Sequence, residues 1–296
     1  KEPDGEALTR TVSSTALGLV ELAASASEAS VRRKRILKAY RSAGFDVRTL
    51  QDIRSLALDD VLAVKPRLSL AYSTTAAAEG AVSGVFASGG SVAAVLGMGV
   101  ASAPGVGVTA SAIAVDITTF LAAATRLVAH TAAYYGYDSE DPTERLFSTM
   151  VLSQAIDPAG SGRDFVVEKQ TTMLAFNKVM RDLARRGSLD GLGGNVVVSA
   201  MNSLFSAMGV RLASRKLAQI VPVAGVVVSA GLNAALMRTI GETADHLYRE
   251  RFLTERYGRV ETAGGASTDL ARPADPQELS ADIARYVEIA EAESRP

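Results

Sequence analysis

Apolar positions recur at helical spacing along most of the chain, and strand signals are scarce. Residues 7–28 form an Ala-rich pattern and 29–43 a basic one that stops at Gly44; both predict helices. Thr49 and Asp52 stand at capping-box spacing and open a predicted helix that ends before Pro66. Asp141 followed by Pro142 places a cap and a proline at the start of TERLFSTMVLSQAI, and Asp157-Pro158 closes it. Asp164 to Gly187 alternates apolar and charged residues and ends in a basic turn plus Gly, which complements a helix dipole and its left-handed cap. Residues 188–194, SLDGLGG, read as a loop. ARPADPQEL near position 275 reads as a Pro-containing linker before a short acidic helix at about 277–292. The expected architecture is all-α: a compact bundle of roughly nine or ten helices in one domain. Its parts are an N-terminal helical segment (1–66), a helical core (67–257), and the linker with the acidic C-terminal helix (258–296).

Positions 80–115, GAVSGVFASGGSVAAVLGMGVASAPGVGVTASAIAV, carry no Asp, Glu, Lys, Arg or His. Glycine inside a helix costs about 1 kcal/mol relative to Ala, so the glycines here need a compensating contact. Small residues recur at four-residue intervals: Gly80, Gly84 and Ser88, then Gly89, Ala93, Gly97 and Ala101. Asn195, Ser199, Ser203 and Ala207 repeat the spacing, as do Gly225, Ser229 and Asn233. Such a stripe lets a neighbouring helix lie close. The run is long enough to span a bilayer, but Gly, Ser and Ala gain little in lipid. Asp116 and Arg126 also follow it, so stable spanning is disfavoured. Two expectations stay open. The run is a buried helical hairpin, or it is packed yet exposes apolar surface to lipid or lines an acyl-chain cavity.

An internal echo supports hairpins. APGVGVTASAIAVDITTFL from Ala103 aligns with VPVAGVVVSAGLNAALMRT from Val221, each with Pro followed by Gly three residues on (Pro104 and Gly107; Pro222 and Gly225). A lone polar residue follows in each copy, Asp116 or Asn233, one position out of register. The expectation is a repeated unit of small-residue helix, Pro-containing turn and second small-residue helix.

Composition narrows the chemistry. Hydrophobic residues make up 48% of the chain and aromatics only 5%, so the core is built from small aliphatics that must approach closely. Lys+Arg at 31 against Asp+Glu at 32 lacks the basic excess of a nucleic-acid binder. There is no Cys, which excludes disulfides and thiolate chemistry. The opening KEPDGEALTR is polar and has no signal-peptide pattern, so the expected location is cytoplasmic or peripheral on the inner face of the plasma membrane. His130 and His246 are the only histidines and read as packed or interfacial residues. GVGVTA from Gly105 matches a dinucleotide fingerprint in letters but lacks the preceding strand and the later acid. No GK[ST] phosphate loop or GxSxG elbow is present, and Ser161 sits in a plain loop. YDSEDPTE from Tyr137 is read as helix capping.

Two features remain as binding candidates. VRRKR, with Arg32, Arg33, Lys34 and Arg35, is the densest basic run; it reads either as a solvated helix face or as a contact for anionic headgroups. Asp116 is the lone charge between Gly80 and Leu121, on a helix expected to be buried. A buried carboxylate must be paired or hydrogen-bonded, so Arg126, Lys216 and Arg251 are its expected partners, with a ligand-headgroup anchor as the alternative. Asn233 is placed to bond across the two hairpins.

The stretch from Arg215, RKLAQIVPVAGVVVSAGLNAALMRTIGETADHLYRERFL, resembles the EcsC family of bacterial proteins. So does the stretch from Pro104 through YYGYD and the ERLF turn near Arg145. The residues that carry the resemblance are Lys216, Pro222, Gly225, Asn233, Ala244, Tyr248 and Arg251, with Asp116, Tyr135, Gly136 and Asp138 in the first half; it covers about residues 65–257. The family is named for a protein encoded beside an ABC exporter. The resemblance implies no catalytic activity, and the expected protein is non-enzymatic, membrane- or lipid-associated and accessory to a membrane transporter, with no catalytic residue, metal or cofactor. The expected partners are anionic lipid or an acyl chain and an integral membrane protein. Two alternatives are a soluble adaptor that binds a protein without lipid, and a hydrolase using Asp116 and a histidine.

Overall fold

The computed structural model describes residues 31–76, 106–156, 178–179, 194–217, 225–257 and 276–292. The helix expected at 7–28, most of that at 164–187, and the run 80–105 with Pro104 lie outside the described residues, as does Pro222. Every regular element among the described residues is a helix, as the sequence pattern predicts. They are α1 (Arg33–Ser42), α2 (Leu50–Ile53), α3 (Leu58–Val64), α4 (68–76), α5 (Val106–Tyr134), α6 (Pro142–Ala155), α7 (Gly194–Leu217), α8 (Gly225–Tyr257) and α9 (Pro276–Ala292).

α5 runs through the centre. From Ile117 onward nearly every turn is covered, with Ile117, Leu121, Ala124, Leu127, Val128 and Ala132 fully buried. A helix apolar on all sides must be surrounded, and α6, α7 and α8 pack around this one. α6 is enclosed in the same way. Its start is set by Asp141, whose side chain accepts the Thr143 N–H at 2.7 Å, and by Pro142 at the first helical position. α9 lies on α7 and is fastened by Arg211, which donates to the Ala290 carbonyl at 2.5 Å.

α5 and α8 run in the same direction. Gly241 faces Leu127, and further along both helices the Phe252 ring meets Tyr135 at 6.1 Å. Helices related this way need a long connection, which α6 and α7 provide. Each begins just after one of the two echo prolines, with Gly107 in the first turn of α5 and Gly225 opening α8. The duplication itself requires the arm before Pro104, which is outside the described residues.

Two sequence expectations need correction. The single helix expected from Thr49 to Pro66 is two, α2 and α3: after Ile53 the backbone tightens, Arg54, Ser55 and Leu56 each donating three residues back, and Ala57 turns extended to begin a new helix. Thr49 and Asp52 do form the expected capping box. The stripe Ser199–Ser203–Ala207 is not a buried face along its length: Ser199 is exposed, and α7 buries Val197, Ala200, Leu204 and Met208 instead. Among the described residues a close helix approach appears at Gly241, where an added Cβ would stand 2.6 Å from the Cβ of Ser69 in α4.

Two helix ends depend on glycine. At Gly44 (φ +96°) and Gly136 (φ +87°) the chain turns left-handed, and Phe45 and Tyr137 donate back five residues to the Tyr40 and Ala132 carbonyls. Gly44 has open space around it, whereas a Cβ on Gly136 would lie 2.7 Å from the Leu50 carbonyl oxygen. We expect Gly44→Ala to cost about 1 kcal/mol and Gly136→Ala distinctly more, since the second adds a backbone collision to the same left-handed strain. Urea unfolding of the two variants measures the difference.

Candidate functional site

The basic run forms the N-terminal half of α1 and its flank. Ile36 and Tyr40 on one side of the helix are fully buried. On the opposite side Lys34, Lys38 and Arg41, spaced four and three residues apart, form one line, with Arg35 and Ser42 beside it; all five are exposed, as is Arg32 at the N-cap. Lys34, Arg35, Lys38 and Arg41 make no ion pair among the described residues.

Arg33 behaves differently, since its guanidinium is engaged within the protein. It points toward the turn after α5 and pairs with Asp138 at 2.9 Å and with Glu140. The Arg33 guanidinium holds the Glu140 carboxyl below its ordinary range. On the same side, the Tyr40 hydroxyl donates at 2.6 Å to the carbonyl of Tyr134, at the C-terminal end of α5. The acidic residues of YDSEDPTE therefore do more than cap a helix; they clamp α1 to the bundle.

Beneath this turn lies a buried charge network. Arg251 of α8 donates twice to Glu144 of α6, at 2.9 and 2.6 Å, and once to Glu255 at 2.8 Å. Glu255 also accepts from Tyr137 at 3.1 Å and from Arg54. The flat guanidinium of Arg251 sits 4.4 Å from the centre of the Tyr137 ring and 4.6 Å from that of Phe147. Burial disfavours the Arg251 cation, but Glu144 and Glu255 outweigh it and push its pKa up. Burial pushes the Glu144 carboxyl up, and the Arg251 charge opposes that. A second, shallower group lies one to two turns earlier on α8. There Asp245 accepts from Tyr135 at 2.8 Å, pairs with Lys65 at 2.7 Å and with Arg249 at 3.0 Å. In the sequence Glu144 stands out only within a fragment of a resemblance, Arg251 there and as an expected partner of Asp116, and Arg54, Lys65 and Glu255 do not stand out at all. The i to i+4 spacings Asp245–Arg249 and Arg251–Glu255 are the signal that could have found them.

Asp116 and the two histidines are not brought together. Asp116 is half-buried on α5 and Asn233 is buried on α8. Arg126 lies ten residues beyond Asp116 on the same helix, about 15 Å away at 1.5 Å per residue, so it is not the expected ion-pair partner. Arg251, another expected partner, is engaged with Glu144 and Glu255. His130 is fourteen residues from Asp116, about 21 Å along α5. It packs between Tyr72 and Tyr134, with the Tyr72 hydroxyl 3.3 Å from its Nδ1, while His246 is exposed on α8. The arrangement needed to pair Asp116 with His130 as a hydrolytic couple is therefore not formed. Among the described residues no cluster of His, Asp and Glu gathers as a metal site, and no helix is long and apolar enough to cross a membrane.

The model of the EcsC protein family matches residues 91–253. The chain belongs to that family. Searches of curated proteins and of solved structures returned no match. The matched span of this EcsC chain contains both partners of the buried pair, Glu144 and Arg251, together with Gly136 and Asp138. It excludes α1, Arg54 and Glu255. The family core thus supplies the keyed turn, and the segment before it supplies the exposed cations.

Two measurements probe this region. Removing one partner of a buried ion pair costs roughly 3–5 kcal/mol, while a well-packed apolar pair costs far less. Arg251→Ala is expected to lose that amount in urea unfolding, and Glu144→Leu with Arg251→Met to recover most of it. His130 is the second probe. Burial, aided by Arg126, pushes its pKa down to about 4, against about 6.5 in an unfolded chain. Between those values the unfolded chain binds a proton that the folded one refuses, so stability falls as pH drops from about 6.5 to 4. His130→Phe should remove that part of the pH slope.

Proposed function

We propose that this EcsC-family chain is a non-enzymatic helical protein that docks on an anionic membrane surface through α1, as an accessory to an integral membrane transporter. The observation that carries the reading is the solvent-facing line of Lys34, Lys38 and Arg41 with Arg35 beside it, on a helix whose other side is fixed to the bundle. Four exposed cations on one face attract an anionic leaflet at about 1 kcal/mol each. The cytoplasmic leaflet carries such lipids, which accords with a peripheral position on the inner face of the membrane. The family's association with an exporter supplies the transporter half of the proposal.

The start of α5 lies far from this face. α5 is 29 residues long, about 43 Å, and α1 is clamped at its C-terminal end. The uncharged run enters α5 at Val106, the other end. Docking through α1 therefore stands on electrostatics alone. An acidic protein surface is the alternative occupant of the same cations, and it marks the adaptor reading.

Flotation with protein-free vesicles separates the two. The chain is expected to float at low salt with phosphatidylcholine vesicles that contain phosphatidylglycerol, and to stay dense with phosphatidylcholine alone. The triple variant Lys34→Glu, Lys38→Glu, Arg41→Glu removes about 3 kcal/mol at 1 kcal/mol per residue, or roughly a 100-fold loss in partitioning. A wild-type chain that stays dense with anionic vesicles, while a detergent-solubilised membrane protein binds it, overturns lipid docking in favour of the adaptor.

A further inference from the structure

We infer that α1 reads the charge density of an anionic bilayer without inserting into it and without selecting a headgroup; this rests on the membrane-docking reading above. Amphipathic helices that lie in a membrane interface bury their apolar face among the acyl chains. In α1 that face is already occupied. Ile36 and Tyr40 are 1% and 0% exposed against the bundle, and Tyr40 is bonded to the end of α5. Arg33 locks the same side to Asp138 and Glu140. Insertion would require breaking all of these contacts.

The outward face holds nothing that would enter hydrocarbon. Its residues are Lys34, Arg35, Lys38, Arg41 and Ser42, with no aromatic or large aliphatic side chain among them. Selection of one headgroup requires donors converging on a concave site, as in bidentate phosphate recognition. These cations instead project from the convex side of one helix, rising about 6 Å and then about 4.5 Å along its axis. Such an array meets several headgroups at once and discriminates among none of them. Arg33 pairs with Asp138 and Glu140, and Arg145 also acts on Glu140, so the repulsion that these two acids offer is reduced.

The test combines headgroup, salt and depth. The chain contains no Trp, so Ser42→Trp places a single indole fluorophore on the exposed face without changing charge. Binding to vesicles of phosphatidylcholine with phosphatidylglycerol, phosphatidylserine or cardiolipin is compared at equal charge fraction. Affinities within about threefold are expected, with a loss of tenfold or more between 0.1 and 0.5 M salt as the screening length shortens. Bromine on the acyl chains should leave the indole fluorescence of the bound Ser42→Trp variant unquenched. A tenfold preference for one headgroup at matched charge, or acyl-bromine quenching, overturns the inference and leaves membrane docking standing. Failure to bind any anionic vesicle, or equal binding by the triple charge-reversal variant, overturns the docking reading beneath it.

Discussion

A guanidinium with 5% of its side chain exposed has few stable arrangements. Its donors must meet carboxylates and its flat faces must be covered by groups that tolerate a cation. Arg251 has both: Glu144 bidentate at one edge, Glu255 at another, and the Tyr137 and Phe147 rings near its faces. Two parallel hydrogen bonds to one carboxylate fix direction as well as distance. They therefore set how α8 lies against the first turn of α6. An apolar pair of equal volume would fill the space without imposing that register.

From this pair the constraint spreads outward through the turn between α5 and α6. Tyr137 covers the guanidinium and also donates to Glu255, so the residue after Gly136 has one permitted position. Gly136 must then be left-handed, because the chain doubles back close beneath the Leu50 carbonyl. The next residues, Asp138 and Glu140, are consequently presented at the surface where Arg33 reaches them. Tyr40 takes the carbonyl of Tyr134, one of the groups that every helix end leaves without an internal partner. The direction in which the cations of α1 point is thus inherited, contact by contact, from a charge pair in the interior.

What can be read in the sequence follows the range of each interaction. Gly44, Asp141-Pro142 and the Thr49–Asp52 box act within a few residues, and each stands where the chain pattern places it. The all-helical class follows from periodicity over long stretches. The break after Ile53 is not legible, because a tightened turn competes with helix propagation by less than the packing that decides the outcome. Pairings between distant residues are out of reach: Arg33 meets Asp138, and Glu144 meets Arg251, across 105 and 107 positions. Asp116 draws notice by its isolation in the sequence, whereas Glu144 passes as an ordinary acid in a helix's first turn. Burial reverses that ranking, since Asp116 is half-covered while Glu144 is 7% exposed. The small-residue stripe runs to Asn233, and among the described residues a tight contact falls two turns later, at Gly241, beyond the interruption at Met237.

The parallel course of α5 and α8 gives the bundle two unlike ends. Both helices finish at the end that carries the buried network, the clamped turn and α1. Both begin next to the echo prolines, and the uncharged run of 80–105 joins α5 there. Surface charge attracts over roughly a screening length, about 10 Å at 0.1 M salt, which is far less than the length of α5. The cations of α1 therefore cannot draw the opposite end toward a bilayer unless the long helices lie along it. On the docking proposal, upright helices would bring only α1 to the membrane and hold the first turn of α5 some 40 Å away. On that proposal the tilt of α5 decides whether the molecule would touch a membrane at one end or along its length, and the attachment of α1 to Tyr134 makes that tilt a property of the fold.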